Sequence, residues 1–328
     1  MAAGQVTATG AVSYLGELFQ TSRRPNQLLR LLGGLQGGLI LSSSRTFPVG
    51  VYFDLAAPSQ PAVLEGDVAP AAEHRILTQT ENVIQIFHKK VDLSYLATAE
   101  NAVTGVVPLP QAAAQGSVIN PRDESTQIMW ALEGIAQDAN YSFLRGAYAS
   151  PANPSTVALR TRGIHTAIST NVVDHSGAAA PDTTTMRSYV EELMRTIIAS
   201  NGYSVDDSWT AFCDAIIFNN AAAAYEGLTG IPLERTIAGL QIRVIRTRMG
   251  DLNLVLEPDM PADTLDIFNL RVVGIVGLPV PGKGVLFEEP LARVGSSDAT
   301  QIYGHLGLDH GPEFCHGSLL LAAGITAL

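Results

Sequence analysis

Residues 120–148 carry the feature that most constrains the fold: a helical pattern far longer than an average helix. Asn120 suits the N-cap, Pro121 the first helical position, and Asp123 and Glu124 the positive end of the helix dipole. Ile128, Leu132, Ile135, Ala139 and Phe143 follow at spacings of three or four, which puts them on one face. At 1.5 Å per residue such a helix is about 40 Å long. Gly134 stands in its middle at a cost of ~1 kcal/mol, so it marks a bend or a close crossing.

Upstream the periodicity changes. Phe47, Val49, Val51, Phe53 and Leu55 alternate with Pro48, Gly50, Tyr52 and Asp54, the mark of a half-buried strand. A second strand is expected over Val83–Leu93. Residues 56–82 between them are rich in Ala and Pro around Leu64-Glu65-Gly66-Asp67. A structureless loop of that size does not suit a compact domain. It suits the tip of a long hairpin that leaves the body and needs a partner to cover it. Before the hairpin, Arg23, Arg24, Pro25 and Asn26 precede the apolar turn Leu28–Leu32, then Gly33, Gly34, Gly37 and Gly38. Such glycine density argues for an arm lying on something else.

Downstream, Asp182 caps a helix expected from Thr183 to Asn201, with Met186, Val190, Leu193 and Ile197 inward and Gly202 ending it. A strand is expected over Phe212–Phe218. The run Ala221–Ala224 predicts a helix within Asn219–Gly227. The remainder reads as strands: 241–248, 252–256, 268–280, 284–290, 300–308 and 314–322. The sum is an α+β chain.

Charge narrows the function. Charged residues are 16% of the chain, the net charge is −11, and the only lysines are Lys89, Lys90 and Lys283. Ordinary nucleic-acid binders cluster Lys and Arg, so that class is excluded. A surface so poor in charge points to cover by other protein. The two cysteines, Cys213 and Cys315, do not make a disulfide framework, so a reducing compartment is expected. Met1–Gly10 lacks the basic start and apolar run of a signal peptide, and no stretch approaches the ~20 apolar residues of a membrane span.

Catalytic patterns fail on inspection. Gly277-Leu-Pro-Val-Pro-Gly282-Lys283-Gly284 has the spacing of a phosphate loop. However, Gly284 stands where Ser or Thr must hold the metal, and Pro279 and Pro281 remove N–H donors. A turn between strands is favoured. His305, Asp309, His310, Cys315 and His316 are metal-ligand types at a spacing that fits no zinc template, and histidines satisfied by backbone carbonyls are favoured. Glu191/Glu192, Asp206/Asp207 and Glu288/Glu289 are adjacent pairs that diverge in space. Arg243, Arg246 and Arg248 read as inter-subunit salt-bridge partners or solvated charges. No catalytic, cofactor-binding or metal residue is assigned.

The closing run Gln301-Ile-Tyr-Gly304-His305-Leu-Gly307-Leu-Asp309-His310-Gly311-Pro-Glu313-Phe-Cys-His316-Gly317 resembles the last strands of tailed-phage major capsid proteins with the Hong Kong 97-type fold. The order of the parts is similar over most of the chain. Residues 1–45 resemble the N-arm and 46–95 the E-loop. Residues 96–169, with helix 120–148 as spine, resemble the first part of the P-domain. Residues 170–262 resemble the A-domain, and 263–328 the C-terminal strands of the P-domain.

That resemblance implies a non-enzymatic head protein of a virion, made in the host cytoplasm. Copies of it would form pentamers and hexamers in an icosahedral shell around double-stranded DNA. No sequence-specific DNA contact, cofactor or membrane is implied. Portal and scaffolding proteins are the expected partners, and a cement protein is left open. Relatives that cross-link covalently join Lys to Asn. None of the three lysines here lies at the hairpin tip, so a non-covalent lattice is expected. Two other readings stay open: an encapsulin-type nanocompartment, and a metal- or nucleotide-dependent enzyme using the histidines or the lysine loop.

Overall fold

The computed structural model of the chain describes residues 5–6, 12–13, 26–33, 39–53, 64–65, 68, 77–96, 124–200, 209–229, 233–237, 240–293 and 295–325. The expected helix start at Asn120, Pro121 and Asp123, the hairpin residues Gly66 and Asp67, and the helix stop at Gly202 lie outside them. In chain order come β1 (Gln5–Val6), β2 (Val12–Ser13), α1 (Gln27–Leu32), β3 (Leu39–Leu41), β4 (Thr46–Phe53), β5 (Leu77–Val83) and β6 (Gln85–Ser94). Then follow α2 (Glu124–Arg145), α3 (Ile164–Ala167), β7 (Val172–Asp174), α4 (Thr183–Ala199), β8 (Trp209–Cys213) and α5 (Ala215–Thr229). The remaining strands are β9 (Leu233–Ile237), β10 (Leu240–Thr247), β11 (Gly250–Leu256), β12 (Thr264–Asn269), β13 (Gly274–Gly277), β14 (Leu286–Pro290), β15 (Ser297–Asp309) and β16 (Gly317–Leu320).

Among the described residues, two seven-stranded sheets and one two-stranded ribbon result. The first sheet is organised by the long strand β15, which pairs antiparallel with β6, β13 and β14. Helix α2 lies on this sheet because its apolar stripe is continuous. Ile128, Leu132, Ile135, Ala139 and Phe143 are all buried, together with Phe87 and Val91 of β6 and Leu306 and Leu308 of β15. Each large side chain in that stripe contributes roughly 1.5–3 kcal/mol by leaving water. Gly134 is not a close crossing: a Cβ there would meet the Lys89 Cε at 3.5 Å, an ordinary contact with the end of a flexible side chain.

The second sheet runs β7-β16-β12-β8-β11-β10-β9. Helices α4 and α5 contribute to the core on one face. Asp182 caps α4 by accepting from the Thr185 N–H at 2.7 Å, and Met186, Val190, Leu193 and Ile197 are buried. Phe212, Val255 and Phe268 point the other way, into the core that α2 shares. With both faces covered, every residue of β8 and β12 is buried. Strands β12 and β16 reach this sheet from beyond residue 262.

Four local expectations change. The strand expected over Phe212–Phe218 stops at Cys213, and Ala215 already starts α5. There the β-branched pair Ile216-Ile217 reads as strand, but the good helix formers that follow carry the helix back to Ala215. The strand expected over 268–280 is two strands, β12 and β13, parted by a turn. The segment expected to be strand from Phe314 begins as a short 3-10 turn over Glu313–Cys315. In β4 the alternation breaks. Phe47 and Val49 are buried, but Val51 is 49% exposed. The β4–β5 register shifts between Val49 and Tyr52, and Gly50 sits there at φ +62°. One inserted residue turns the following side chains over.

Candidate functional site

The closing motif forms the join between the two sheets. Strand β15 ends at Asp309, the chain turns through His310 and Gly311, and after the 3-10 turn it enters the second sheet as β16. Gly311 takes φ +67°, and its N–H donates to Asp309 Oδ1 at 3.0 Å. Glu313 accepts from the N–H groups of Ser169 at 2.9 Å and Thr170 at 3.0 Å, and from the Thr170 hydroxyl. Asn171 Nδ2 donates to the carbonyls of Phe314 at 2.7 Å and His316 at 2.9 Å. The segment preceding β7 is thereby tied to the join.

The histidines of the motif are structural in their contacts. His316 is fully buried. Its Nε2 donates to the His310 carbonyl at 2.7 Å and its Nδ1 accepts from the Asn269 N–H at 3.2 Å. The ring meets Phe268 edge-on. His310 donates from Nδ1 to the Gly311 carbonyl at 2.8 Å, while its buried Nε2 has no partner among the described residues. Burial holds both rings neutral, with pKa values lowered to about 4. His305 stands apart, between the Tyr303 hydroxyl at 2.9 Å and the Leu278 carbonyl at 3.3 Å, and burial lowers its pKa too. Among the described residues no group of three or more His, Cys, Asp or Glu converges on a point that could hold a metal. The lysine loop is a turn: the Val280 N–H bonds the Gly284 carbonyl at 2.8 Å, and Lys283 is held by Glu289 at 2.6 Å. Arg243 pairs with Glu226 of α5 in its own chain, and Arg248 lies 3.9 Å from Glu191.

The ribbon of β4 and β5 leaves from this join. Gly50 passes so close over Gly311 that a Cβ would stand 2.6 Å from the Gly311 oxygen, and the Gly50 N–H reaches the Asp309 carboxylate. Tyr52 packs edge-on against Phe314 at 4.8 Å. On the other strand Asn82, fully buried, donates to the carbonyls of Leu308 at 2.7 Å and Arg162 at 3.2 Å and accepts from the Arg162 N–H at 2.8 Å. Sequence reasoning missed Asn82. Its only signal was a polar residue beside the strand Val83–Leu93. The arrangement fixes the root of the ribbon on both strands, and hydrogen-bonded rigidity of this kind is suited to holding a projecting element at a set angle.

A long helix on a sheet organised by one long C-terminal strand, a second sheet carrying two helices and a ribbon rooted at their join define a shell-protein fold of the Hong Kong 97 type. The SrpI encapsulin complex of Synechococcus elongatus PCC 7942 has the same fold, with TM-score 0.57 and 12% identity over 90% of this chain and 87% of that one. The capsid of cyanophage A-1(L) matches with TM-score 0.57 and 9% identity over 98% and 96% of the two chains. A structure from Mycobacterium phage Patience matches with TM-score 0.51 and 15% identity over 98% and 92%. Searched by sequence, the curated proteins give no match.

Family membership comes from sequence: the SU10 major capsid protein family matches residues 1–326, and the chain belongs to it. It is a phage major capsid protein, a structural component of the virion. Among the described residues no helix is long and apolar enough to cross a membrane.

Proposed function

We propose that this chain assembles as pentamers and hexamers into an icosahedral shell around phage double-stranded DNA, and that none of its residues is catalytic. Residues 1–45 act as the N-arm, 46–95 as the E-loop, 96–169 as the first part of the P-domain with α2 as its spine, 170–262 as the A-domain, and 263–328 as the C-terminal strands of the P-domain. The supporting observation is the ribbon. Among the described residues β4 and β5 form a two-stranded sheet of their own, apart from both larger sheets. Thr78, Gln79, Thr80 and Glu81 are all exposed. Open strand edges in a native protein call for cover, and a neighbouring copy supplies it in a lattice. Other partners in this reading are a portal and a scaffolding protein.

Expression of the full chain tests the shell directly. Closed particles containing nucleic acid in virions are expected, and a chain that stays monomeric at every concentration would sink the reading. Replacing residues 54–76 with an Asn-Gly turn tests the ribbon, since that dipeptide closes a two-residue hairpin. The variant should fold with its melting temperature retained and fail to close shells. Normal particles from it would remove the ribbon from the assembly mechanism. Cargo protein in place of DNA inside native particles would favour a nanocompartment.

A further inference from the structure

Helix α1 is six residues long, and Asn26 at its N-cap makes no side-chain capping bond. The cap comes from a distant part of the sequence. Glu257, just after β11, is fully buried, and its Oε2 accepts from the N–H groups of Gln27 at 2.8 Å and Leu28 at 3.3 Å. Asn140 of α2 completes the arrangement. Its Nδ2 donates to Glu257 Oε1 at 3.2 Å and to Asp259 Oδ2 at 3.0 Å, while its Oδ1 accepts from the Leu29 N–H at 3.2 Å. Leu28 and Leu29 insert into the core beside α2. One buried amide and two buried carboxylates thus fasten the N-terminal segment to the long helix.

We propose that Glu257 is a proton-operated fastener of the N-terminal segment: α1 is held on α2 while the carboxyl is neutral and loosens when it ionises. Among the described residues, three elements present groups to Glu257. Helix α1 presents main-chain N–H groups, α2 presents Asn140, and the turn after β11 presents Asp259 and its N–H. Asp259 is the ionisable group among them, and it repels a second charge. Burial, the largest influence, raises the Glu257 pKa to about 7, against the pull of the N–H donors of Gln27 and Leu28.

The sign follows from linkage. When α1 lifts away, Glu257 meets water and its pKa returns toward the ordinary 4.5. A carboxyl with a raised pKa in the attached state favours attachment fully below the ordinary value. The benefit is lost as pH rises to about 7, and the attachment is constant above that. The attachment constant changes by at least about tenfold and by at most about three-hundred-fold across that window.

Hydrogen exchange of the Gln27, Leu28 and Leu29 amides tests this in the unassembled full-length chain, after correction for the intrinsic pH dependence of exchange. Protection in the wild type should fall at least about tenfold from pH 5 to pH 8, while amides of Leu132–Ala136 in α2 hold theirs. Glu257→Gln, which cannot ionise, should show no such fall. Asp259→Asn removes the repelling charge and should show a smaller fall than the wild type, which keeps the test alive if the Gln variant does not fold. Equal protection at both pH values in the wild type overturns the proposal, as does a parallel loss in α2. An undiminished fall in either variant does the same. None of these readouts involves assembly, so they stand or fall apart from the shell.

Discussion

Single residues decide how the join is built, and glycine 50 is the sharpest case. Its φ of +62° is a conformation that side chains resist, and a Cβ would press to 2.6 Å of the Gly311 oxygen, a backbone atom that cannot step aside. Gly50→Ala should therefore cost about 2 kcal/mol or more, read as a lower urea midpoint at unchanged slope. A variant as stable as the wild type would show that the ribbon root does not need this crossing. His316 carries a pH signature of opposite sign to Glu257. Its pKa is lowered to about 4 by burial, so the unfolded chain takes up a proton first as pH falls. The stability it contributes is full above 6.5 and is lost as pH drops toward about 4. His316→Gln breaks the paired contacts to Asn269 and His310, at a cost of about 1–3 kcal/mol near pH 7. The gap between variant and wild type should close in acid, measured by denaturant unfolding at several pH values. A gap that stayed constant from pH 7 to pH 4 would contradict the assignment.

At the scale of elements, Gly134 is a weak point in the long helix that nothing in its surroundings requires. Helix α2 runs unbroken from Glu124 to Arg145 through this residue, and an added Cβ finds only the Lys89 side chain at 3.5 Å. Gly134→Ala should stabilise the fold by up to ~1 kcal/mol, seen as a higher melting temperature. An unchanged or lower melting temperature would contradict this account of the helix. The elements also show what a sequence makes legible. The inward faces of α2 and α4 were readable because burial on one side imposes a period of 3.6 over many turns, and the Asp182 cap was readable because its side chain acts three residues away. The flip at Val51 was not, since a bulge costs one residue and leaves the apolar alternation of the sequence intact. Strand β8 and the start of α5 merged for a related reason: the short apolar run from Phe212 to Phe218, broken only by Asp214, has no period to tell strand from helix. The clamp at Asn82 and the fastener at Glu257 were invisible because each joins residues far apart in sequence, 226 positions from Asn82 to Leu308 and 230 from Gln27 to Glu257. The closing motif was legible as a signature, while its physical role as a join needed the two sheets.

For the whole molecule, scarce charge becomes a statement about how copies are held together. The sequence has three lysines, and each is paired to a carboxylate in its own chain: Lys89 to Asp138 at 2.7 Å, Lys90 to Asp92 at 3.0 Å and Lys283 to Glu289 at 2.6 Å. Such exposed pairs add little stability, on the order of 0–1 kcal/mol each. Their bearing is geometric. Lys89 and Lys90 lie on β6, inside the first sheet, and Lys283 lies in the turn before β14. None sits on β4 or β5, the two strands of the ribbon. An amide bond between subunits needs a lysine amine delivered to a neighbour's side chain and freed from its own carboxylate. In the proposed lattice without such bonds, strength comes from many modest contacts, with apolar surface buried between copies as the main term. A net charge of −11 is compatible with the proposed shell, because an acidic protein has little attraction for the phosphates of DNA. Virions dissociated by heat in denaturing detergent should show this protein as a single monomer band. A ladder of multimers that survives reduction would mean that one of the three lysines leaves its carboxylate and forms an inter-subunit bond. Replacing Lys89, Lys90 and Lys283 in turn by Arg would then identify it, since Arg keeps the charge but cannot form the bond.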